Sequence, residues 1–443
     1  MGGLNKFQII VLGIFSVAII GTFIYLALNR GLSGGGSGPP ETVVWGTIDE
    51  KDFSGFTEVF QRANRDKASI IYRQKSAVTL ERDLIEAIAD GRSPDVIIFP
   101  SDFIISLKQR IAGVPYKSYP RRVFKDTFVE AGGLFLDGGG VIAYPLLVDP
   151  LVMYWNRDVI GSVGLASPPR RWSEFLTLPE KVVNIDNAGN LTRTAVALGD
   201  FENVTNAKEI LSALFLQVGQ KIVVPSGAGF AVTLEAGDDQ ALESDPSEAS
   251  SLSVVRFFTE FADPLKPQYS WNRSLPESRE VFSRGDLAVY FGFASELELL
   301  RAKNPNLNFD VAFFPQLDNA LTKAVFGRVY AAAAVKHTRS PSQTFKVLGL
   351  LASRENVLTL SQMTRLPPAR RDLLAVRPAD DYQYVFYDAA LVSKGWYDPN
   401  PEGTKAVFRK MVESVTSGRL RISDALRRAA GEITKLLSAA QSE

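Results

Sequence analysis

The sequence predicts an α/β protein of at least two domains behind a single transmembrane helix. Its length, its apolar N-terminus and the alternation of short and long apolar segments that follows carry this reading. At 443 residues the chain exceeds what one hydrophobic core holds, so two or three domains are expected. Its 49 basic and 49 acidic residues cancel, leaving no excess of Lys and Arg for a nucleic-acid partner. There is no cysteine. Disulfides, thiolate metal sites, a cysteine nucleophile and a lipid-modified N-terminal cysteine are therefore excluded.

Residues 7–28, FQIIVLGIFSVAIIGTFIYLAL, carry no charge. As a helix they would reach roughly 33 Å, enough to cross a hydrocarbon core about 30 Å thick. Lys6 precedes the run and Arg30 follows it, so charge orients it only weakly. A cleavable signal peptide is the rival reading. Against it, the run is longer than the usual apolar region of a leader, and no small-x-small cleavage site follows. The expectation is an uncleaved anchor at the cell membrane, with residues 1–6 as a short cytoplasmic tail and the rest outside the cytoplasm. Residues 29–40 include GLSGGGSGPP, a flexible tether stiffened at its end by two prolines. GLSGG matches a serine-hydrolase elbow only formally, since no strand precedes it and no helix follows.

From residue 41 the segments alternate. TVVWG (42–46) is a β-branched run that reads as a buried strand. Phe53, Phe56, Val59 and Phe60 follow at helical spacing, and SIIYR (69–73) is the next strand. Leu80, Leu84, Ile85 and Ile88 share one face of a helix over 79–90, with Gly91 where a C-cap glycine belongs. DVIIF (95–99) is the third strand. Strand–helix–strand–helix–strand implies right-handed crossovers and a parallel sheet covered on both faces. VIAYP (141–145) and LVMYW (151–155) read as two further strands, followed by strands over 287–292, 310–314 and 329–335. Ser340-Pro341 opens a helix as cap and first-turn proline. Helices over 405–415 and 423–437 close the chain, and Leu426, Ala429, Ala430, Ile433 and Leu437 form the apolar stripe of the last. The polar stretch 236–250 reads as a surface loop.

The stretch VIAYPLLVDPLVMYWNRDVI (141–160), followed by PPRRWSEF (168–175), resembles the family-1 extracellular solute-binding proteins. Tyr144-Pro145, Asp149 and the segment Tyr154-Trp155-Asn156-Arg157-Asp158 hold the places of that family's Tyr-Pro pair, acidic residue and YNKD-like segment. TVVWGTIDE, SPDVIIFPSD, SRGDLAVYFG and SGRLRISDAL resemble further family segments in the same order, so the likeness spans about 41–437. It departs from the sugar-binding pattern at Glu50, where one sugar-binding member has a basic residue, and at Phe103, where that member has an arginine. Ser295 stands where many relatives place a tryptophan.

The resemblance implies a periplasmic-binding-protein-like clamp of type II with two lobes. Residues 41–150 plus about 316–360 would form the first lobe, and about 151–315 plus 361–443 the second. It implies a monomer without cofactor or metal. Such a clamp captures a small polar solute, in the first place a mono- or oligosaccharide, and delivers it to the permease subunits of an ABC importer. A ligand-sensing module for a membrane partner and a glycan-processing enzyme are the alternatives.

Sugars present apolar ring faces and edges crowded with hydroxyls, so a binder needs aromatic platforms, carboxylates and arginines. These groups belong at the carboxyl ends of parallel strands. Asp49 lies just past the first strand, Asp102 just past the third, and Asp149 at the crossing between lobes. Each is a ligand candidate, with helix capping as the plain alternative. Phe99 and Trp396 are candidate platforms, Phe99 being as readily core. Tyr144 is a candidate that a hinge role explains equally well. Arg409 matches a ligand-facing arginine in the penultimate helix of one sugar-binding member, with a solvated surface arginine as the plain alternative, while Arg328 and Tyr330 are candidates to enter the cleft. Trp45 and Trp172 read as packing. Catalysis finds no support: His337 is the only histidine, and no phosphate-binding GxxxxGK motif is present.

Overall fold

The computed structural model describes residues 39–227, 229–234, 250–318, 320 and 322–442. The apolar segment 7–28, the tether behind it and nearly all of 236–250 lie outside the described residues. Among those described, no helix is long and apolar enough to cross a membrane.

The first half is built as its pattern suggests. Strand β1 (Glu41–Gly46), helix α1 (Glu50–Ala63), strand β2 (Ser69–Gln74), helix α2 (Leu80–Ala89) and strand β3 (Val96–Pro100) follow one another. β1 pairs in parallel with both β2 and β3. α1 buries Phe53, Phe56 and Phe60 along one face, and α2 buries Leu80 and Leu84. α2 stops at Asp90, before Gly91 at φ +65°, a left-handed conformation that costs glycine nothing.

The two strands expected over 141–145 and 151–155 are largely one, β4 (Tyr144–Asn156), which is buried throughout except at Trp155. β5 (Leu191–Val196), α3 (Ala207–Gln217), α4 (Ser251–Glu260), β6 (Leu287–Phe293) and β7 (Phe309–Ala312) come next. They are followed by β8 (Val325–Val335), α5 (Pro341–Leu351) and α6 (Arg354–Thr364). The first part of β4 runs antiparallel to β8, up to Pro150 opposite Gly327. From Leu151 it pairs instead with β6, and from Met153 also with β7. Proline has no N–H to donate to a ladder, and Pro150 sits where the strand changes partners. The halves thus share β4 rather than being joined by a loop.

β8 is the second shared strand, antiparallel to β3 over Tyr330–Ala334 and to β4 over Gly327–Ala332. The parallel sheet expected for the first half is therefore parallel only in β1–β3, with antiparallel crossing strands beside it. Ser340 makes no side-chain cap on α5, contrary to the reading of Ser340-Pro341; its own N–H donates to Thr338 Oγ1 at 3.2 Å instead. α6 packs on α1. The chain stays with the first half beyond residue 360: Ala369 N donates to Leu146 O at 2.9 Å, and Val148 N to Pro367 O at 2.8 Å. α7 (Asp381–Leu391) then packs on β4 and β7, and α8 (Pro401–Thr416) and α9 (Ile422–Ser442) pack on each other and on α4. In α9, Leu426, Ala429, Ile433 and Leu437 are buried as the stripe requires.

Candidate functional site

A cavity of about 650 Å³ opens between the two halves. The first half contributes Thr47, Pro100, Asp102 and Phe103, and β8 contributes Arg328 and Tyr330. The second half contributes Asn206, Lys208, Glu209, Arg279, Pro401 and Lys405.

Local structure explains why these side chains meet. β3 ends at Pro100, and Ser101–Phe103 makes a single 3-10 turn that swings Asp102 toward the crossing strands. Along β8 only Arg328 and Tyr330 are less than fully buried. Two residues apart on a strand, they share a face, and that face looks into the cavity. Across it, the loop from β5 to α3 passes Gly199 at φ +99°, where a Cβ would lie 2.4 Å from the Ala262 backbone nitrogen. The loop ends at Asn206, whose φ of 61° is left-handed although it is not glycine. Its side-chain amide donates to Glu296 Oε1 at 2.7 Å instead of capping α3. Glu296 also accepts from Arg279 Nε at 2.8 Å and Phe293 N at 3.0 Å.

At the centre lies Arg328. Its Nε donates to Asp102 Oδ2 at 2.9 Å, and its Nη2 reaches Glu209 Oε1 at 3.4 Å. The guanidinium lies 4.5 Å from the centre of the Phe293 ring, a cation–π distance. Burial works against the Arg328 charge, but Asp102, Tyr330 and Glu209 outweigh it and hold the proton more firmly than usual. Burial, then Asp149, pushes the Tyr330 hydroxyl up to about 12. Behind this group Asp149 is buried, at 1% exposure, and accepts from Ser295 N at 3.0 Å. Burial pushes its carboxyl up to about 6, against the hydrogen bonding from Ser295 and the charge of Arg328. Chemically the wall presents carboxylate, guanidinium and carboxylate in a row across the gap, able to accept from and donate to a polar solute.

Of the residues singled out in the sequence, Asp102, Arg328 and Tyr330 line the cavity and Asp149 lies behind them. The others are elsewhere. Asp49 caps α1, accepting from Lys51 N at 2.8 Å. Phe99 is core, edge-on to Phe135 at 6.0 Å, because β3 lies between β1 and β8 and is buried along its whole length. Tyr144 packs edge-on against Tyr119 at 5.3 Å. Trp396 is not a platform: its ring stacks on Phe408 and its Nε1 donates to the buried Ser212 hydroxyl at 3.1 Å. Arg409 is ion-paired at 3.3 Å to Glu202, which itself lines the cavity. The sequence does not single out Asn206, Lys208 and Glu209, which follow the carboxyl end of β5, nor Arg279, which lies in the helix before β6. Among the described residues no group of three or more His, Asp or Glu side chains could hold a metal ion.

The profile of the bacterial extracellular solute-binding protein family matches residues 47–357. A binding protein of Brucella abortus is 28% identical over 98 residues, which is 22% of this chain and 24% of that protein. The match thus spans about a quarter of that relative's length. Among solved structures, a cyclo/maltodextrin-binding protein complexed with maltotetraose superposes with a TM-score of 0.70 at 14% identity, covering 90% of this chain and 98% of its own. The cyclic α-maltosyl-1,6-maltose-binding protein of Arthrobacter globiformis gives 0.70 at 13% identity, covering 91% and 100%. At such identities the likeness is one of fold: a two-lobed α/β architecture.

Proposed function

The chain belongs to the bacterial extracellular solute-binding proteins, and from that premise we propose that it is a membrane-anchored member that hands a small polar solute, in the first place a carbohydrate, to an ABC importer. The observation that carries this reading is the cavity between the halves, where Arg328 of a shared strand reaches Asp102 on one side and Glu209 on the other. A solute held there touches both halves at once, so its binding free energy favours the closed arrangement over the open one. β4 and β8 pass between the halves and are where a hinge would bend. The carbohydrate class is supported by the cyclo/maltodextrin-binding neighbour, which is complexed with maltotetraose. Anchoring is supported by the uncharged segment 7–28 and the Gly/Ser tether after it, which would raise the local concentration at a membrane partner.

A thermal-shift screen of the full-length protein against mono- and oligosaccharides, polyamines and amino acids tests the reading. A ligand that binds only the folded state raises the melting temperature. A panel with no shift in any class contradicts solute capture. For the anchor, the expected outcome is an intact N-terminus in the membrane fraction; an N-terminus near residue 30 would refute it.

A further inference from the structure

The wall of the cavity is unusual in what it lacks. Trp45, Trp172, Trp271 and Trp396 are all buried to 6% exposure or less. Trp155, half-buried on β4, has the Arg157 guanidinium 5.9 Å from its ring centre. Among the described residues, no tryptophan lines the cavity. Of the lining aromatic rings, Phe201 is itself buried, which leaves Phe103 and Tyr330 partly open. Among the described residues, six carboxylates and four cationic side chains line the same space.

A linear oligosaccharide gains much of its affinity by laying the apolar faces of successive rings on aromatic platforms. Here a second and third ring would meet charge rather than aromatic surface. A hydroxyl both donates and accepts, and the row Asp102–Arg328–Glu209 offers acceptor, donor, acceptor. Neighbouring hydroxyls on one small ring can donate to the free lone pairs of the carboxylates and accept from the remaining Arg328 N–H groups. Such charge-assisted bonds are about twice as strong as neutral ones. We infer that the solute is a compact polyhydroxylated ring, a monosaccharide or cyclic polyol read along its edge by Arg328 and its two carboxylates, and not a stacked linear oligosaccharide. This inference rests on the solute-binding reading above.

The test is calorimetric titration of the full-length protein with glucose, myo-inositol and maltotetraose, repeated with Arg328→Lys and Glu209→Gln. At least one compact solute is expected to bind tenfold or more tightly than maltotetraose. Arg328→Lys, which keeps the charge and loses the fork, is expected to weaken that binding by about tenfold. Glu209→Gln should weaken it less, and serves as the readout if Arg328→Lys unfolds. Maltotetraose binding as tightly as the compact solutes, or both variants binding like the parent, would overturn the inference. If none of the three sugars and polyols binds but an amino acid or polyamine raises the melting temperature, the inference falls and solute capture stands. If nothing binds, both fall.

Discussion

Lys208 and Glu209 are neighbours on the first turn of α3, yet they enter two different kinds of ion pair. Lys208 Nζ lies 2.8 Å from Asp398 Oδ2, with only 6% and 4% of the two side chains exposed. Asp398 also accepts from the Thr404 hydroxyl at 2.9 Å and from Asn400 N at 3.1 Å. Every member of that group belongs to the second half, so the pair locks α3 to the start of α8. Glu209 faces the other way, to Arg328 at 3.4 Å, and through it to Asp102 in the first half. The first pair is closed on itself; the second spans a gap that a solute can enter. Two adjacent charges thus separate into one that holds the fold and one that can read a ligand, and substitutions should divide along the same line.

The largest effect is expected at the closed pair. Asp398→Ala leaves a buried ammonium without its counter-charge, and should cost about 3–5 kcal/mol in denaturant unfolding. A loss below about 1 kcal/mol would mean that water reaches Lys208 and that the pair is not closed.

Asp149 comes next. Its carboxyl is pushed up to about 6 from an ordinary 3.8, so the folded state keeps a proton that the unfolded chain has already lost. The sign follows: the cost of ionising it is absent below about pH 4, grows between about pH 4 and 6, and is complete above that, at roughly 3 kcal/mol. Asp149→Asn keeps an acceptor for Ser295 N and removes the charge. It should raise stability at pH 8 by up to about 3 kcal/mol and flatten the dependence between about pH 4 and 6. Unfolding at pH 5 and pH 8 checks this; a variant no more stable at pH 8 would show that Arg328 already compensates the carboxylate.

On the open side the effect moves from stability to affinity. Asp102→Ala removes one charge-assisted acceptor, and should weaken the solute roughly 10- to 150-fold while moving the melting temperature of the empty protein by a few degrees at most. The contrasting control is Asp49→Ala, which removes the α1 cap. It should cost about 1 kcal/mol of stability and leave affinity unchanged. If the two variants exchange these behaviours, the assignment of Asp102 to the site is wrong.

Much of the fold was legible because its signals are local. The Phe53–Phe56–Phe60 spacing, the β-branched runs and Gly91 each declare an element within a few residues. The pattern of β4 reads as two strands because Pro150 interrupts it, and only the change of partner from β8 to β6 shows why proline is tolerated there. The site was less legible because its contacts are not local. Arg328 is 226 residues from Asp102 and 119 from Glu209, and no spacing rule links such positions. Trp396 sits in a loop rich in Gly, Asp and Pro, a composition that reads as exposed, whereas the ring turns inward onto Phe408. Glu209 could have been found by asking which helix follows β5, since the loop at a strand's carboxyl end faces the crevice.

The central claim is that the two halves close on a solute in the cavity between them. The absence of cysteine allows it to be measured directly. Val78, 76% exposed on the first-half wall, and Glu402 on the second-half wall can each be replaced by cysteine and spin-labelled without background. The distance between the labels should shorten and its distribution narrow when a solute that raises the melting temperature is added to saturation. An unchanged distance at saturation would contradict closure and place the solute elsewhere.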